Sequence, residues 1–315
     1  MTFVKKSFRK LLNWLRVQGV RHNPSQVAKA NGIDLVYDSF GKPRDAPLLL
    51  IASFGEQMIA WHEEFCTRLA ARGYWVIRFD NRDAGLSSKM NNSDVSDTAG
   101  LASVFAKGMF VAAPYTLKEM ADDTAGLLDT LEIQSAHIVG ISMGGMIAQM
   151  MAIRHGKRVR TLTSMLSTTG DSMLPSPTQE ALKVLLTPAP VDRAGYVEHC
   201  IRSWRVLEGP AFPLDEARAR EYAERSYDRG LARAGTARQM RAVMASGSRK
   251  QALKGVTVPT LVIHGDADPL VPLAGGMDTA NAIPGAKLLV IEGMGHTLSV
   301  AAWPRIISAI AEHAI

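Results

Sequence analysis

The stretch HIVGISMGGMIAQMMA, residues 137–152, places a single serine where a short β-like apolar run passes into a longer helix-like run. Glycines stand two residues before and two residues after Ser142, at Gly140 and Gly144. A nucleophile on a sharp turn between a strand and a helix needs such glycines, because Cβ atoms at these positions would clash within the turn. The Gly-x-Ser-x-Gly pattern alone is a weak signal, so its weight depends on the surrounding segments and on partners for Ser142.

Short apolar segments alternate with helix-like segments from Ile33 onward. The strand-like segments are 48–53, 74–80, 136–141, 161–166, 260–265 and 286–293. Apolar runs of this kind are typical of parallel strands that are buried on both faces. The helix-like segment 116–133 begins with a capping box formed by Thr116 and Glu119. The sequence therefore predicts an α/β fold, with a mostly parallel, doubly wound sheet that carries helices on both faces.

One region departs from this alternation. Between about residues 170 and 251 the strand signal disappears, and helix-like pieces follow one another, interrupted by prolines. Ligand sites in parallel sheets lie beyond the carboxyl ends of the strands. We therefore expect residues 170–251 to form a helical cap insertion over that edge of the sheet.

Candidate partners for Ser142 lie downstream. A serine hydroxyl needs a base to accept its proton, and the base needs a carboxylate to orient it. Asp266 and Asp268 follow the strand-like segment 260–265, and His296 follows the next one. All of these groups should emerge at the carboxyl edge of the sheet. The order serine, acid, histidine is the one found in α/β-hydrolases.

The net charge of +6 does not indicate a nucleic-acid partner. Residues 1–22 contain six Lys or Arg residues and no acidic residue, so the remaining charge is 6 − 6 = 0. The later Arg-rich stretch 215–235 mixes both signs at helical spacing, as a solvated helix face does. A nucleic-acid binder should instead carry a basic stripe on its folded domain.

Cysteine usage and motifs argue for a protein without metals or cofactors. Cys66 and Cys200 are far apart in sequence and form no Cys-x-x-Cys motif. No phosphate-binding glycine loop or zinc-binding helix pattern occurs. No apolar run approaches the length of about 18 residues that suggests a membrane span, and no export signal is evident. We expect a cytoplasmic enzyme that needs no cofactor and no metal.

Together these motifs resemble the α/β-hydrolase-fold serine esterases, and within them the aclacinomycin methylesterase group of bacterial carboxylesterases. The matching pieces are VGISMGG, RFDNRDAGLS, WRVLEG, VTVPTLVIHGDADPLVP and IEGMGH, within a hydrolase domain spanning residues 29–315. The resemblance implies a catalytic triad of Ser142, Asp268 and His296. It favours Asp268 over Asp266, because the family's acid lies three residues after the glycine of this motif.

The resemblance also implies an oxyanion hole formed by the backbone N–H groups of Phe54 and Met143. The family usually has His-Gly-x after its third strand, whereas this chain reads Ala52-Ser53-Phe54. A main-chain donor survives this change, but the usual histidine that holds the loop is missing. Trp61 is expected to pack this loop or to line the substrate pocket, and Trp204 in WRVLEG is a second candidate lining residue.

These observations predict a carboxylic ester hydrolase that acts on short to medium acyl esters through an acyl-enzyme. The fold and the triad also serve lactonases, thioesterases and perhydrolases, so these activities remain alternatives. A hydrolase relative that binds a ligand without turnover is a further alternative. The expected partner is a small-molecule ester.

Residues 1–22 lie outside the hydrolase resemblance. If residues 2–18 form a helix, its apolar side chains lie on one face and its basic side chains on the other. Such a helix can dock on its own domain or on a second subunit, or it can lie weakly on an anionic membrane. The segment therefore predicts either a homo-oligomer contact or a membrane-surface contact.

Overall fold

Eight strands form a single sheet in the computed structural model, which describes residues 19–90 and 112–315 together with Val17. The strands are β1 (His22–Ala30), β2 (Ile33–Phe40), β3 (Ala46–Ile51), β4 (Tyr74–Phe79), β5 (Ala136–Ile141), β6 (Val159–Met165), β7 (Thr260–Gly265) and β8 (Lys287–Ile291). The helices are α1 (Glu63–Ala70), α2 (Leu117–Thr130), α3 (Met143–Arg154), α4 (Gln179–Leu186), α5 (Arg193–Leu207), α6 (Glu216–Asp228), α7 (Arg233–Ser246), α8 (Lys250–Leu253), α9 (Leu273–Ala282) and α10 (Trp303–His313).

The strand order is β1-β2-β4-β3-β5-β6-β7-β8. Strands β3 to β8 pair in parallel, whereas β1 with β2 and β2 with β4 pair antiparallel. Because the parallel strands run the same way, their carboxyl ends meet at one edge. The loops that follow β3, β5, β7 and β8 therefore lie together.

Helices cover both faces of this sheet and bury it in two apolar clusters. Side chains of α2 and α3 pack on one face, and side chains of α1 and α10 pack on the other. Strand β5 is buried along its whole length, which explains its continuous apolar sequence. The predicted capping box is confirmed, since Thr116 and Glu119 satisfy each other's backbone N–H groups at the start of α2.

The sheet begins earlier than the predicted domain start at residue 29. Strand β1 starts at His22, whose ring lies 2.9 Å from the Asp38 carboxylate on β2. The strand has the polar sequence HNPSQVAKA and lies exposed at the edge of the sheet, so it lacks the apolar pattern that marks the other strands. The predicted helix at residues 2–18 lies outside the described residues, apart from Val17.

Between β6 and β7 the chain leaves the sheet and forms the cap, helices α4 to α7, at the position where the sequence predicts a helical insertion. Helices α5 and α6 pack on each other through their own small apolar cluster. No helix within the described ranges is long and apolar enough to span a bilayer.

Candidate active site

Ser142 stands on a strained turn between β5 and α3. Its backbone angles are φ 54° and ψ −117°, a conformation that residues other than glycine rarely adopt. A Cβ atom on Gly140 would lie 2.0 Å from the carbonyl oxygen of Gly144, and one on Gly144 would lie 2.2 Å from that of Ile51. The two glycines are therefore required by close backbone approach, and the turn presents Ser142 at the carboxyl edge of the sheet.

The three predicted triad side chains form a continuous hydrogen-bonded chain. The Nε2 atom of His296 lies 3.0 Å from Oγ of Ser142, and its Nδ1 atom lies 2.7 Å from Oδ2 of Asp268. With the ring proton on Nδ1, the imidazole donates to Asp268 and its Nε2 atom can accept the hydroxyl proton of Ser142. Asp268 and His296 are both nearly inaccessible to solvent, so competing water is scarce around this contact.

The two candidate aspartates have different partners. The second carboxylate oxygen of Asp268 accepts hydrogen bonds from the backbone N–H groups of Leu270 and Val271, at 2.9 and 2.8 Å. Asp266 instead accepts from the backbone N–H of Gly293 at 2.6 Å. The geometry thus places Asp268 against His296. Asp266 instead connects the loop after β7 to the loop after β8.

His264 supports the acid loop, a contribution that sequence reasoning missed. It is fully buried on β7, and its Nε2 atom lies 2.7 Å from the carbonyl oxygen of Val271. Burial lowers the pKa of His264, so the ring stays neutral and donates to that carbonyl. Because Val271 also donates to Asp268, the histidine helps to fix the acid beside His296. Its place at the end of β7, directly before the Gly-Asp motif, was the available signal.

The proposed oxyanion donors lie on either side of Ser142. Phe54 is in the loop after β3 and lines the same cavity as Ser142. Met143 is the first residue of α3, and a backbone N–H at that position has no acceptor within its own helix. Both amides are therefore located where the loop after β3 meets the nucleophile turn.

The loop that carries Phe54 is held without the family's histidine. Asn81 donates its side-chain N–H to the carbonyl oxygen of Ala52 at 3.2 Å. From helix α7 of the cap, Gln239 accepts from the backbone N–H of Gly55 at 2.9 Å and donates to the carbonyl oxygen of Arg82 at 2.8 Å. Gln239 was also missed by the sequence analysis, because it belongs to no motif.

Buried ion pairs connect the cap to the sheet. Arg238 on α7 meets Asp83 at 2.6 Å, and Arg229 after α6 meets Asp80 at 2.8 Å. Asp80 also accepts from the backbone N–H of Met58, next to the cavity. These contacts explain the roles of Asp80 and Asp83 in the RFDNRDAGLS motif, since both carboxylates join the cap to loops at the sheet edge.

A cavity of about 620 Å³ lies between the cap and the sheet edge. Ser142 and His296 lie in its wall, together with both predicted lining residues, Trp61 and Trp204. Trp61 is 1% exposed and packs on Phe65 with ring centroids 5.5 Å apart, so it also packs the loop region. Within the described ranges, no cluster of His, Cys, Asp or Glu side chains is placed to bind a metal ion.

Comparison with known proteins shows the family of the chain. Residues 46–300 match the family model of the α/β hydrolase fold. Rhodomycin D methylesterase of Streptomyces peucetius is 33% identical, over 92% of this chain and 98% of that enzyme. The structure of 2-hydroxy-6-oxo-6-phenylhexa-2,4-dienoate hydrolase from Rhodococcus sp. strain RHA1 superposes with a TM-score of 0.72 at 18% identity, covering 93% of this chain and 99% of that one.

A second solved structure, the enol-lactonase from Burkholderia xenovorans LB400, superposes with a TM-score of 0.69 at 22% identity, covering 91% of this chain and 99% of that one. At these identities the two superpositions show the fold alone. The predicted fold class is thereby confirmed, and so is the resemblance to the methylesterase group. The chain belongs to the α/β hydrolase family and is an enzyme of its ester-hydrolase class.

Proposed function

We propose that the enzyme hydrolyses carboxylic esters through an acyl-enzyme formed on Ser142. The observation that supports this most strongly is the hydrogen-bonded chain from Ser142 through His296 to Asp268. In the first half-reaction Ser142 Oγ attacks the ester carbonyl, and His296 accepts its proton and passes it to the leaving alcohol. Asp268 holds the imidazole in the tautomer that this transfer requires.

The second half-reaction reverses these roles. His296 takes a proton from a water molecule, the water attacks the acyl carbon, and the proton returns to Ser142 as the acid departs. In both halves the carbonyl oxygen becomes negatively charged. We assign its stabilisation to the backbone N–H groups of Phe54 and Met143, which cost no reorganisation when the charge develops.

For the substrate, we retain short to medium acyl esters as the first proposal. The cavity favours a second candidate, the methyl ester of a bulky acid, because pockets of about 300–1,000 Å³ hold drug-sized ligands and this one measures about 620 Å³. The name of the methylesterase relative agrees with a small alcohol group.

Covalent labelling combined with a substrate panel tests these proposals. A fluorophosphonate should label the wild type and leave Ser142→Ala unlabelled, which separates a catalyst from a hydrolase relative that only binds ligands. The panel comprises p-nitrophenyl esters of graded acyl length, methyl esters of small and polycyclic acids, a lactone, a thioester, and perhydrolysis assayed with acetate and peroxide. If the lactone, the thioester or the peracid-forming reaction is faster than every ester, the enzyme is a lactonase, a thioesterase or a perhydrolase instead of a carboxylesterase.

We also keep the cytoplasm as the proposed compartment. Cys66 and Cys200 are both free thiols, which fits a reducing environment. Fractionation of cells that express the full chain, with detection in soluble and membrane pellets, tests this location.

A further inference from the structure

Glu56 is an acidic residue in the catalytic cavity that the proposed reaction does not use. It follows Phe54 closely in the loop after β3, and it lines the same cavity as Ser142 and His296. A carboxylate beside a nucleophile and its base is unfavourable for an ester that carries negative charge. Its presence therefore needs an explanation other than the triad chemistry.

The other acidic residues in the cavity wall each have an arginine partner, whereas Glu56 does not. Those pairs are Asp83 with Arg238 at 2.6 Å, Asp215 with Arg218 at 3.4 Å, and Glu221 with Arg225 at 3.5 Å. In the part of the chain that the structure describes, no Lys or Arg side chain forms an ion pair with Glu56. The cavity thus contains one carboxyl group that lacks a counterion.

The electrostatics of Glu56 reflect this position. Burial raises the pKa of Glu56 to about 7, and the nearby His296 and a hydrogen bond from the backbone of Ser53 oppose that shift only in part. A raised pKa means that the interactions of the carboxylate with the protein stabilise its charge less than water would. A cation that entered the cavity would supply the missing interaction and favour the ionised form.

Part of the wall of the same cavity is aromatic. Tyr196, Cys200 and Trp204 recur at i, i+4 spacing on α5, and Tyr222 on α6 packs on Trp204 with ring centroids 5.4 Å apart. Burial raises the pKa of the Tyr196 and Tyr222 hydroxyls, and the negative charge of Glu56 contributes to the rise at both. Aromatic faces attract ammonium groups through their negative quadrupole, so this wall and Glu56 favour the same kind of ligand.

The remaining groups of the wall that can carry positive charge do not supply a counterion. Arg218 and Arg225 also bind the carboxylates of Glu64 and Glu63, at 2.8 and 2.6 Å. Arg233 is exposed at the rim and donates to the carbonyl oxygen of Pro190. Burial lowers the pKa of both His62 and His199, which keeps these rings neutral.

We propose that Glu56, together with Tyr196, Trp204 and Tyr222, forms a subsite for an ammonium group, so that the enzyme prefers esters of amine-bearing acids. The inference deepens the proposed function, because the ester must lie at Ser142 while its cationic end contacts Glu56. It also gives a role to the one acidic side chain of the cavity wall that has no Lys or Arg partner among the described residues.

A pair of isosteric substrates tests the subsite. Methyl (trimethylammonio)butyrate and the neutral methyl ester in which a carbon atom replaces the nitrogen have the same shape and differ in charge. The measured quantity is the ratio of their kcat/KM values, charged over neutral, in which general losses of activity cancel. Glu56→Gln should lower this ratio by roughly tenfold, as expected for the loss of one partly buried charge pair.

Glu221→Gln is the matched control, since it removes a cavity carboxylate that already has an arginine partner. It should change the ratio by less than about twofold. Because the pKa of Glu56 is about 7, the wild-type ratio should also fall between pH 8 and pH 6, and the ratio of Glu56→Gln should stay flat. A ratio that is unaffected by Glu56→Gln, or that falls equally in both variants, overturns the proposal.

Failure of the proposed function gives a different result. If neither ester is hydrolysed by the wild type and Ser142 is not labelled, the catalytic proposal fails and the subsite is tested by binding alone. Calorimetric titration with tetramethylammonium chloride against sodium chloride then measures the cation directly. Binding to the wild type that is lost in Glu56→Gln supports the subsite, and equal binding or no binding to both proteins overturns it.

Discussion

Asp268 and Asp266 are two residues apart in sequence, yet of the two only Asp268 reaches His296, with Oδ2 2.7 Å from Nδ1 of the ring. The Asp266 carboxylate accepts from the backbone N–H of Gly293 instead. We expect Asp268→Asn to lower kcat by about 10⁴, because the amide would favour the wrong tautomer of His296. Asp266→Asn should lower kcat by less than about tenfold, measured with the same ester. Equal losses in the two variants would show that the acid is assigned wrongly.

The loop that carries Phe54 gives a second prediction, through Gln239. Gln239→Met removes the hydrogen bonds to Gly55 and Arg82 and keeps a side chain of similar size. We expect kcat to fall by about tenfold with little change in KM, because a displaced oxyanion donor weakens the transition state more than the substrate complex.

Gln149→Met is the control for this prediction. Gln149 is also fully buried and also makes two side-chain hydrogen bonds, to Ser164 and Arg249, but it lies on α3 away from the cavity wall. Both variants should melt at lower temperature, since each leaves buried polar groups unpaired. A fall in kcat that is as large for Gln149→Met would mean that the effect comes from lost stability.

The buried ion pair between the cap and the sheet gives a prediction about stability. Arg238 and Asp83 are 3% and 0% exposed, so Arg238→Met leaves a buried carboxylate without its partner. We expect the free energy of unfolding to fall by about 3 kcal/mol. Arg220→Met removes an exposed cap pair with Glu198 and should lower the free energy of unfolding far less, because solvent screens that pair. Urea denaturation of both variants measures the difference, and similar values would contradict the role of burial.

His137 makes the stability of the protein depend on pH. Burial lowers the pKa of this β5 residue to about 4, and its Nδ1 atom lies 2.9 Å from the hydroxyl of Thr161. The unfolded chain takes up a proton near pH 6.5 and the folded protein only near pH 4, so stability is lost as the pH falls between these values.

The variant His137→Gln isolates this contribution from the other titrating groups. The difference in unfolding free energy between wild type and variant should shrink by about 2 kcal/mol from pH 7 to pH 4.5. Chemical denaturation at several pH values measures it. A difference that stays constant with pH would show that His137 titrates alike in both states.

The meeting of Ser142, Asp268 and His296 at one edge of the sheet could be predicted from sequence, because each follows a strand whose apolar run is easy to recognise. Ser142 follows β5, Asp268 follows β7 and His296 follows β8, and parallel strands bring their carboxyl ends together. Strand β1 could not be predicted in this way. Its sequence is polar because it lies at the exposed edge, where the antiparallel partner β2 supplies the pairing instead of a buried face.

Residues that act across the cap interface were also beyond sequence reasoning. Gln239 reaches the loop at Gly55 only because helix α7 folds back over the sheet edge. Whether a basic side chain reaches Glu56 depends on the packing of distant segments, and among the described residues none does; no local sequence pattern indicates this. Motifs therefore locate groups at strand ends, whereas supporting contacts depend on how the cap packs.

The N-terminal segment gives the last prediction, and the structure sets where the chain can be cut. The carbonyl oxygen of Arg21 accepts from the backbone N–H of Gly41 at 2.9 Å, and β1 begins at His22. Removal of residues 1–22 would damage the sheet, so deletion of residues 1–16 is the proper test. We expect residues 1–16 to dock on the protein rather than on a membrane. A segment with only a few apolar side chains binds lipid weakly unless charge attraction adds to the binding.

Under docking, the truncated protein should melt at lower temperature or change its mass in size-exclusion chromatography. A full-length variant with Lys5, Lys6, Arg9 and Lys10 all changed to Gln serves as the matched control, because it removes charge and keeps the apolar residues. That variant should retain the melting temperature and mass of the wild type if docking is apolar. Loss of salt-sensitive binding to anionic liposomes in both variants, with melting and mass unchanged, would instead establish membrane association. Unchanged melting, mass and liposome binding on truncation would exclude both roles for this segment.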